Sequence, residues 1–163
     1  MGDDDLHAEQ RARRIIDAQL TAAGWYVQDQ AALNLSAGQG IAVREKVMAA
    51  GHGRADYLLY LDKRAVGVVE AKPAGTTLAG VAWQSAKYAT GLSAQTRLRA
   101  VTLGDRLPFV FEASGSELFM TNGYDPAPRS RRLFTFPAPR RWPAPSGTER
   151  PGAAWCAPSL RWR

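Results

Sequence analysis

Residues 53–72, GRADYLLYLDKRAVGVVEAK, decide how the rest of the chain is read. Asp62, Lys63 and Arg64 are the polar break between two runs rich in Val, Leu and Tyr, the pattern of a hairpin loop between two strands. Antiparallel registration about a loop centred near Lys63 sets Asp56 opposite Glu70. Side chains alternate along a strand, so Glu70 and Lys72 emerge on one face, and Asp56 shares it. A slip of one residue would send Asp56 to the other face. Charges set in strands this apolar are costly unless compensated, and a divalent cation between the two carboxylates is the simplest compensation.

Upstream, the spacing predicts a helix over residues 5–23, with Leu6, Ala12, Ile16, Leu20 and Ala23 as its apolar stripe and Gly24 as its stop. Glu9 falls in the middle of that stripe. It is either a surface carboxylate paired with Arg13 one turn on, or a group laid over the metal site to hold the metal or its water. Strands are predicted at Trp25–Gln28 and Ile41–Lys46. Glu45, in the second, reads as an ion-pair partner rather than a metal ligand, and His52 as an exposed loop residue or a DNA-backbone contact. Downstream, Gly75 with Thr76 or Thr77 as cap introduces a helix from about Leu78 to Thr90, ended by Gly91. On it Val81, Gln84 and Tyr88 share a face. Gln84 and Tyr88 are either a solvated neighbour and a core residue, or a pair reaching the site.

Further strands are predicted at Arg99–Leu103, at Leu107–Ala113 and near Leu118–Thr121. Residues 125–132 read as irregular, and Leu133–Phe136 as a final edge strand. The expected architecture is α/β: about six strands with two covering helices, in one domain over residues 1–136. From Pro137 the composition changes, with six prolines, three tryptophans and five arginines in 27 residues. No helical or strand period runs through them, so residues 137–163 are expected to form a poorly packed tail.

The net charge of +6 is concentrated at the carboxyl end: eight arginines lie between Arg129 and Arg163 with only Glu149 against them, leaving residues 1–128 nearly neutral. A basic body that grips nucleic acid by charge alone is therefore not indicated. One cysteine and two histidines exclude a disulfide framework and argue against a zinc site or a triad hydrolase. No apolar run approaches the roughly 20 residues of a membrane span, and the start is acidic where a secretory signal is basic, so a soluble, cytoplasmic protein is expected.

The charged set matches the demands of phosphodiester hydrolysis: a water activated near neutral pH, neutralised non-bridging oxygens and a stabilised leaving oxygen. Mg²⁺, with Mn²⁺ as an alternative, suits an all-oxygen site that retains several waters. Asp56 and Glu70 are the candidate metal ligands, with the Ala71 carbonyl as a further oxygen. Lys72 would orient or activate the attacking water.

The chain resembles the amino-terminal nuclease domain of the R (restriction and translocation) subunit of type I restriction-modification enzymes. The likeness runs from about Glu9 to Arg132 and is carried by ARRIIDAQLTAAGW (12–25), AVRE (42–45), GRADYLLY (53–60), GVVEAK (67–72), WQSAKY (83–88) and DPAPRSRR (125–132). It implies a restriction-endonuclease-like PD-(D/E)xK fold, a central mixed sheet flanked by helices. It also implies that Asp56 and Glu70 are metal ligands, Lys72 the catalytic lysine, Gln84 and Tyr88 a Gln-x-x-x-Tyr element, and Glu9 the helix glutamate near the site. Double-stranded DNA is the implied substrate, and methylase and specificity subunits the implied partners. ATP serves the translocase of the full-length family, and this sequence contains no Gly-x-x-x-x-Gly-Lys phosphate loop. The alternative expectation is a truncated, non-catalytic fragment that only binds DNA or partner subunits.

Overall fold

The computed structural model describes residues 3–47, 54–73, 75, 78, 92–103 and 107–142; of residues 3–6, 9, 46, 47, 54 and 95 it describes the backbone alone. Helix α1 (Asp3–Ala22) forms where Ala12, Ile16 and Leu20 recur one turn apart, and all three are buried. Its end is chemically specified. Gly24 adopts φ 95°, a conformation that glycine accepts without strain. Its N–H bonds the Thr21 carbonyl at 2.9 Å, while the Trp25 N–H bonds the Leu20 carbonyl at 3.0 Å. That pair of bonds is a Schellman stop.

Among the described residues seven strands follow: β1 (Tyr26–Asp29), β2 (Gly40–Val47), β3 (Arg54–Leu61), β4 (Arg64–Ala71), β5 (Phe109–Ala113), β6 (Leu118–Asn122) and β7 (Ser130–Leu133). They form one mixed sheet in sequence order. β1 runs parallel to β2, and β4 parallel to β5; the other neighbours are antiparallel. The long β4–β5 connection is the crossover a parallel pair requires. It includes the four-residue helix α2 (Ala94–Arg97), capped by the Ser93 side chain.

Both faces of the sheet are covered. Ile16 and Leu20 of α1 pack with Tyr57, Leu59, Leu61, Val66, Val69 and Phe111. On the opposite face Leu58, Tyr60, Ala65 and Val68 pack with Leu92 and Leu107. Burial on two sides explains why β3 and β4 are apolar almost without interruption.

The hairpin reaches its register by a route the sequence hides. Its loop is the pair Asp62–Lys63, both at positive φ (47° and 68°), the geometry of a tight two-residue hairpin turn. Leu61 faces Arg64 and Tyr60 faces Ala65, and continuing that count would set Asp56 opposite Val69. Instead the register shifts: Leu59 faces Gly67 and Tyr57 faces Val69, with Val66 as the extra residue of a β-bulge. The ladder ends at Tyr57 and Val69; counted one step further it would set Asp56 opposite Glu70, and that count is owed to the bulge rather than to the centre of the loop.

Two strand expectations are corrected. Residues 99–103 make an isolated bridge, Ala100 to Ala65, rather than a ladder. The last strand lies at Ser130–Leu133 instead of 133–136, because Arg131 and Arg132 pair with Met120 and Phe119 of β6 while Phe136 leaves the sheet for the core. Past Phe136, where the poorly packed tail is expected to start, residues 137–142 still pack on the body. Trp142 is buried with its ring 4.7 Å from Phe109 and 5.8 Å from Trp25, and the Trp25 indole N–H bonds the Pro137 carbonyl at 2.9 Å. Chain packing thus continues through residue 142. The helix expected near 78–90 lies outside the described residues apart from Leu78, which is buried. No helix among the described residues is long and apolar enough to cross a membrane.

Candidate active site

Asp56 lies near the start of β3 and Ala71 at the end of β4, and the two meet. The Ala71 N–H donates to Asp56 Oδ2 at 2.9 Å. The other oxygen, Oδ1, accepts from Arg13 of α1 twice, from Nε at 3.1 Å and from Nη2 at 2.8 Å. Arg13 Nη1 donates to Glu45 Oε1 at 3.1 Å. Glu45 is therefore an ion-pair partner, as expected, and Arg13 is the cation it meets.

Glu70 and Lys72 form the second half. Lys72 Nζ donates to Glu70 Oε1 at 2.8 Å, with both side chains largely out of solvent. Lys72 follows directly on β4, and its backbone N–H bonds the Ala113 carbonyl at 2.8 Å. Burial pushes the Glu70 carboxyl above the ordinary carboxylate range; Lys72 opposes that rise, while Asp56 and Glu112 add to it. Glu112, only 3 % exposed, stands beside Glu70 in the parallel β4–β5 register. Three carboxylates on three adjacent strands, Asp56, Glu70 and Glu112, thus act on one another.

A second ionic cluster fixes α1 over this end of the sheet. Arg44 grips Asp17 of α1 through Nε and Nη2 at 3.0–3.1 Å and reaches Asp29 at 2.9 Å. The Tyr57 hydroxyl lies 2.9 Å from Asp17 Oδ1 and 3.1 Å from the Arg13 carbonyl. Its single proton goes to the carboxylate, the closer and charged acceptor. Burial, reinforced by Asp17, raises the Tyr57 hydroxyl well above its usual range.

Of the residues that sequence singled out, Asp56, Glu70, Ala71 and Lys72 are brought together. Glu9 lies on α1 one turn before Arg13, with its side chain outside the described residues. Gln84, Tyr88 and His52 also lie outside them. Two residues went unnoticed as parts of the site. Glu112 had a signal, a carboxylate in the apolar strand FVFEA. Arg13 had none, because its contact with Asp56 bridges 43 positions of sequence.

Among the described residues no group of three or more His, Cys, Asp or Glu side chains is spaced to hold a metal ion. What the site offers is two carboxylates with the Ala71 peptide against one of them. Carboxylate oxygens are hard donors, the kind that a cation such as magnesium or manganese takes while keeping much of its water. A cavity of about 890 Å³ lies elsewhere, between the end of α1, β6 and residues 132–142, and shares no lining residue with this centre.

Comparison with known proteins agrees with this architecture. The family described as the type I restriction enzyme EcoKI endonuclease subunit second domain matches residues 30–123. A search of curated proteins finds no match. Among solved structures, a fragment described as an HsdR subunit of a type I restriction enzyme from Vibrio vulnificus YJ016 superposes with a TM-score of 0.57 at 21% identity. The alignment covers 81% of this chain and 24% of that one, so the chain spans less than a quarter of its length. The likeness shows the fold, a restriction-endonuclease-like mixed sheet. With the family match extending over more than half of its 163 residues, the chain belongs to the family of type I restriction enzyme endonuclease subunit domains.

Proposed function

We propose that the chain is the magnesium-dependent DNA-cleaving domain of a type I restriction enzyme R subunit, hydrolysing phosphodiester bonds in double-stranded DNA. The observation that supports it is the meeting of Asp56 with the Ala71 peptide beside the buried Glu70–Lys72 pair, in a chain of this family. Asp56 and Glu70 hold Mg²⁺ or Mn²⁺, with the Ala71 carbonyl as a further oxygen. When bound, the ion neutralises charge on the non-bridging phosphate oxygens and acidifies water. Lys72, held by Glu70 at 2.8 Å, orients the attacking water and helps to activate it. Glu70, raised by burial, is the group whose ionisation a bound cation favours most directly. Glu9, Gln84 and Tyr88 are the further residues that the family resemblance assigns to the centre. Methylase and specificity subunits supply sequence recognition, and ATP drives the translocase of the full-length proteins, all in the cytoplasm.

A second reading rests on Arg13. Its guanidinium already neutralises Asp56, so the domain could bind DNA or partner subunits without cutting. Plasmid nicking separates the two. Supercoiled DNA with Mg²⁺ should be nicked by the protein, supplemented with methylase and specificity subunits where needed, and left intact by Asp56→Ala and Lys72→Ala. Nicking that survives in both variants removes the proposed centre, and no nicking under any condition favours the binding-only domain.

A further inference from the structure

We propose that Arg13 is the resident counter-ion of Asp56 and competes with the divalent cation for it, so that metal entry requires the guanidinium to leave Oδ1. This rests on Asp56 being a metal ligand. Of the two Asp56 oxygens, Oδ2 is committed to the Ala71 N–H, and Oδ1 carries both Arg13 bonds, at 3.1 and 2.8 Å. A divalent cation held by Asp56 and Glu70 would therefore meet an Asp56 carboxylate already neutralised by Arg13. Two cations cannot both hold one oxygen at full strength, and each repels the other at contact distance.

The arrangement is built rather than incidental. Glu45 holds the third guanidinium nitrogen, Nη1, at 3.1 Å, and it does so from a left-handed backbone conformation, φ 49°, that a residue with a Cβ adopts reluctantly. The β2–β3 ladder pairs Arg44 with Tyr57 and Lys46 with Ala55, skipping the position between them, where Glu45 stands across from Asp56. The local distortion of β2 thus coincides with the residue that steadies Arg13. The Arg13 main chain is fixed, since its residue precedes the buried Ile16 turn and its carbonyl lies against the Tyr57 hydroxyl. Its side chain is about one third exposed, so the guanidinium can swing to water by rotating about its own stem.

Isothermal titration of the whole chain with Mn²⁺, at constant ionic strength and without DNA, tests the exchange. Arg13→Ala should bind Mn²⁺ more tightly than wild type, by about threefold to tenfold, because a partly exposed like charge has been removed from beside the ion. Arg13→Gln, which keeps most of the stem, should show the same gain should Arg13→Ala fold poorly. Asp56→Ala should abolish the binding in every background. Tightening in the Arg13 variants that vanishes with Asp56→Ala supports the exchange. Asp56-dependent binding that is unchanged or weakened in the Arg13 variants overturns it and leaves the metal-site reading standing. Absence of Asp56-dependent binding in wild type and Arg13 variants alike overturns both.

Discussion

The β3–β4 hairpin and the segment from β7 to Trp142 carry charge and apolar bulk in opposite ways. In the hairpin the carboxylates go in: Asp56 and Glu70 sit among buried Val, Leu and Tyr and take Arg13 and Lys72 as partners. In the later segment the charges stay out. Arg131 and Arg132 are more than half exposed, answered by Asp125 at 3.1 Å and Glu117 at 3.7 Å, while Phe136 and Trp142 enter the core. Exposed pairs of that kind contribute little, so aromatic burial must hold the segment. Inward charge against an apolar background points to chemistry, whereas outward charge over buried aromatics points to packing.

The largest expected effect breaks that comparison where it is most exposed. Trp142→Ala removes a ring in contact with Trp25, Phe109 and Phe111 and should destabilise the fold by about 3–5 kcal/mol in urea unfolding. A loss below about 1 kcal/mol would mean that the segment merely rests on the body, and that the boundary after Phe136 is the real one.

That boundary shows where sequence stops being informative. The hairpin was legible because its signal is local: an apolar run on each side of a polar break. The helix stop at Gly24 was legible for the same reason. Trp142 was not, because the composition after Pro137 looks disordered and nothing near it names Trp25 or Phe109, which lie far away in sequence. The β-bulge at Val66 left no mark either, since Ala65, Val66 and Gly67 are apolar or small on any register. Arg13 belongs to the same class: a long-range pair whose members each look like ordinary surface charge alone.

Gly67 offers the next largest effect and sharpens the hairpin side. A Cβ there would stand 2.6 Å from the Phe109 carbonyl oxygen and 3.0 Å from the Phe109 Cβ, so β4 and β5 could not keep their approach. Gly67→Ala should destabilise by about 1–3 kcal/mol in the same unfolding assay and weaken any Asp56-dependent metal binding, because Glu70 lies three residues further along that strand. A variant of wild-type stability would show that the β4–β5 spacing is slack there.

Tyr57→Phe probes the tie between the hairpin and α1 with the smallest effect. The variant loses the hydroxyl bond to Asp17 but keeps the buried ring, and Arg44 still neutralises the carboxylate, so a loss of about 1–2 kcal/mol near pH 7 is expected. The pH dependence carries the sharper signature. Burial and Asp17 hold the Tyr57 hydroxyl protonated in the folded chain to higher pH than in the unfolded one, where tyrosine titrates near about 10. The folded state therefore binds the extra proton above pH ~10, and wild-type stability falls as pH climbs through the folded value. Tyr57→Phe has no such proton to keep. Tyr60 and Tyr124, also raised by burial, contribute equally to both proteins. The gap between the two stability curves should stay constant from neutral pH to about 10 and close above it. Curves that remain parallel in alkali would mean that Tyr57 ionises as freely in the folded chain as in the unfolded one, and that the clasp of α1 onto β3 is the work of Arg44 and Asp17 alone.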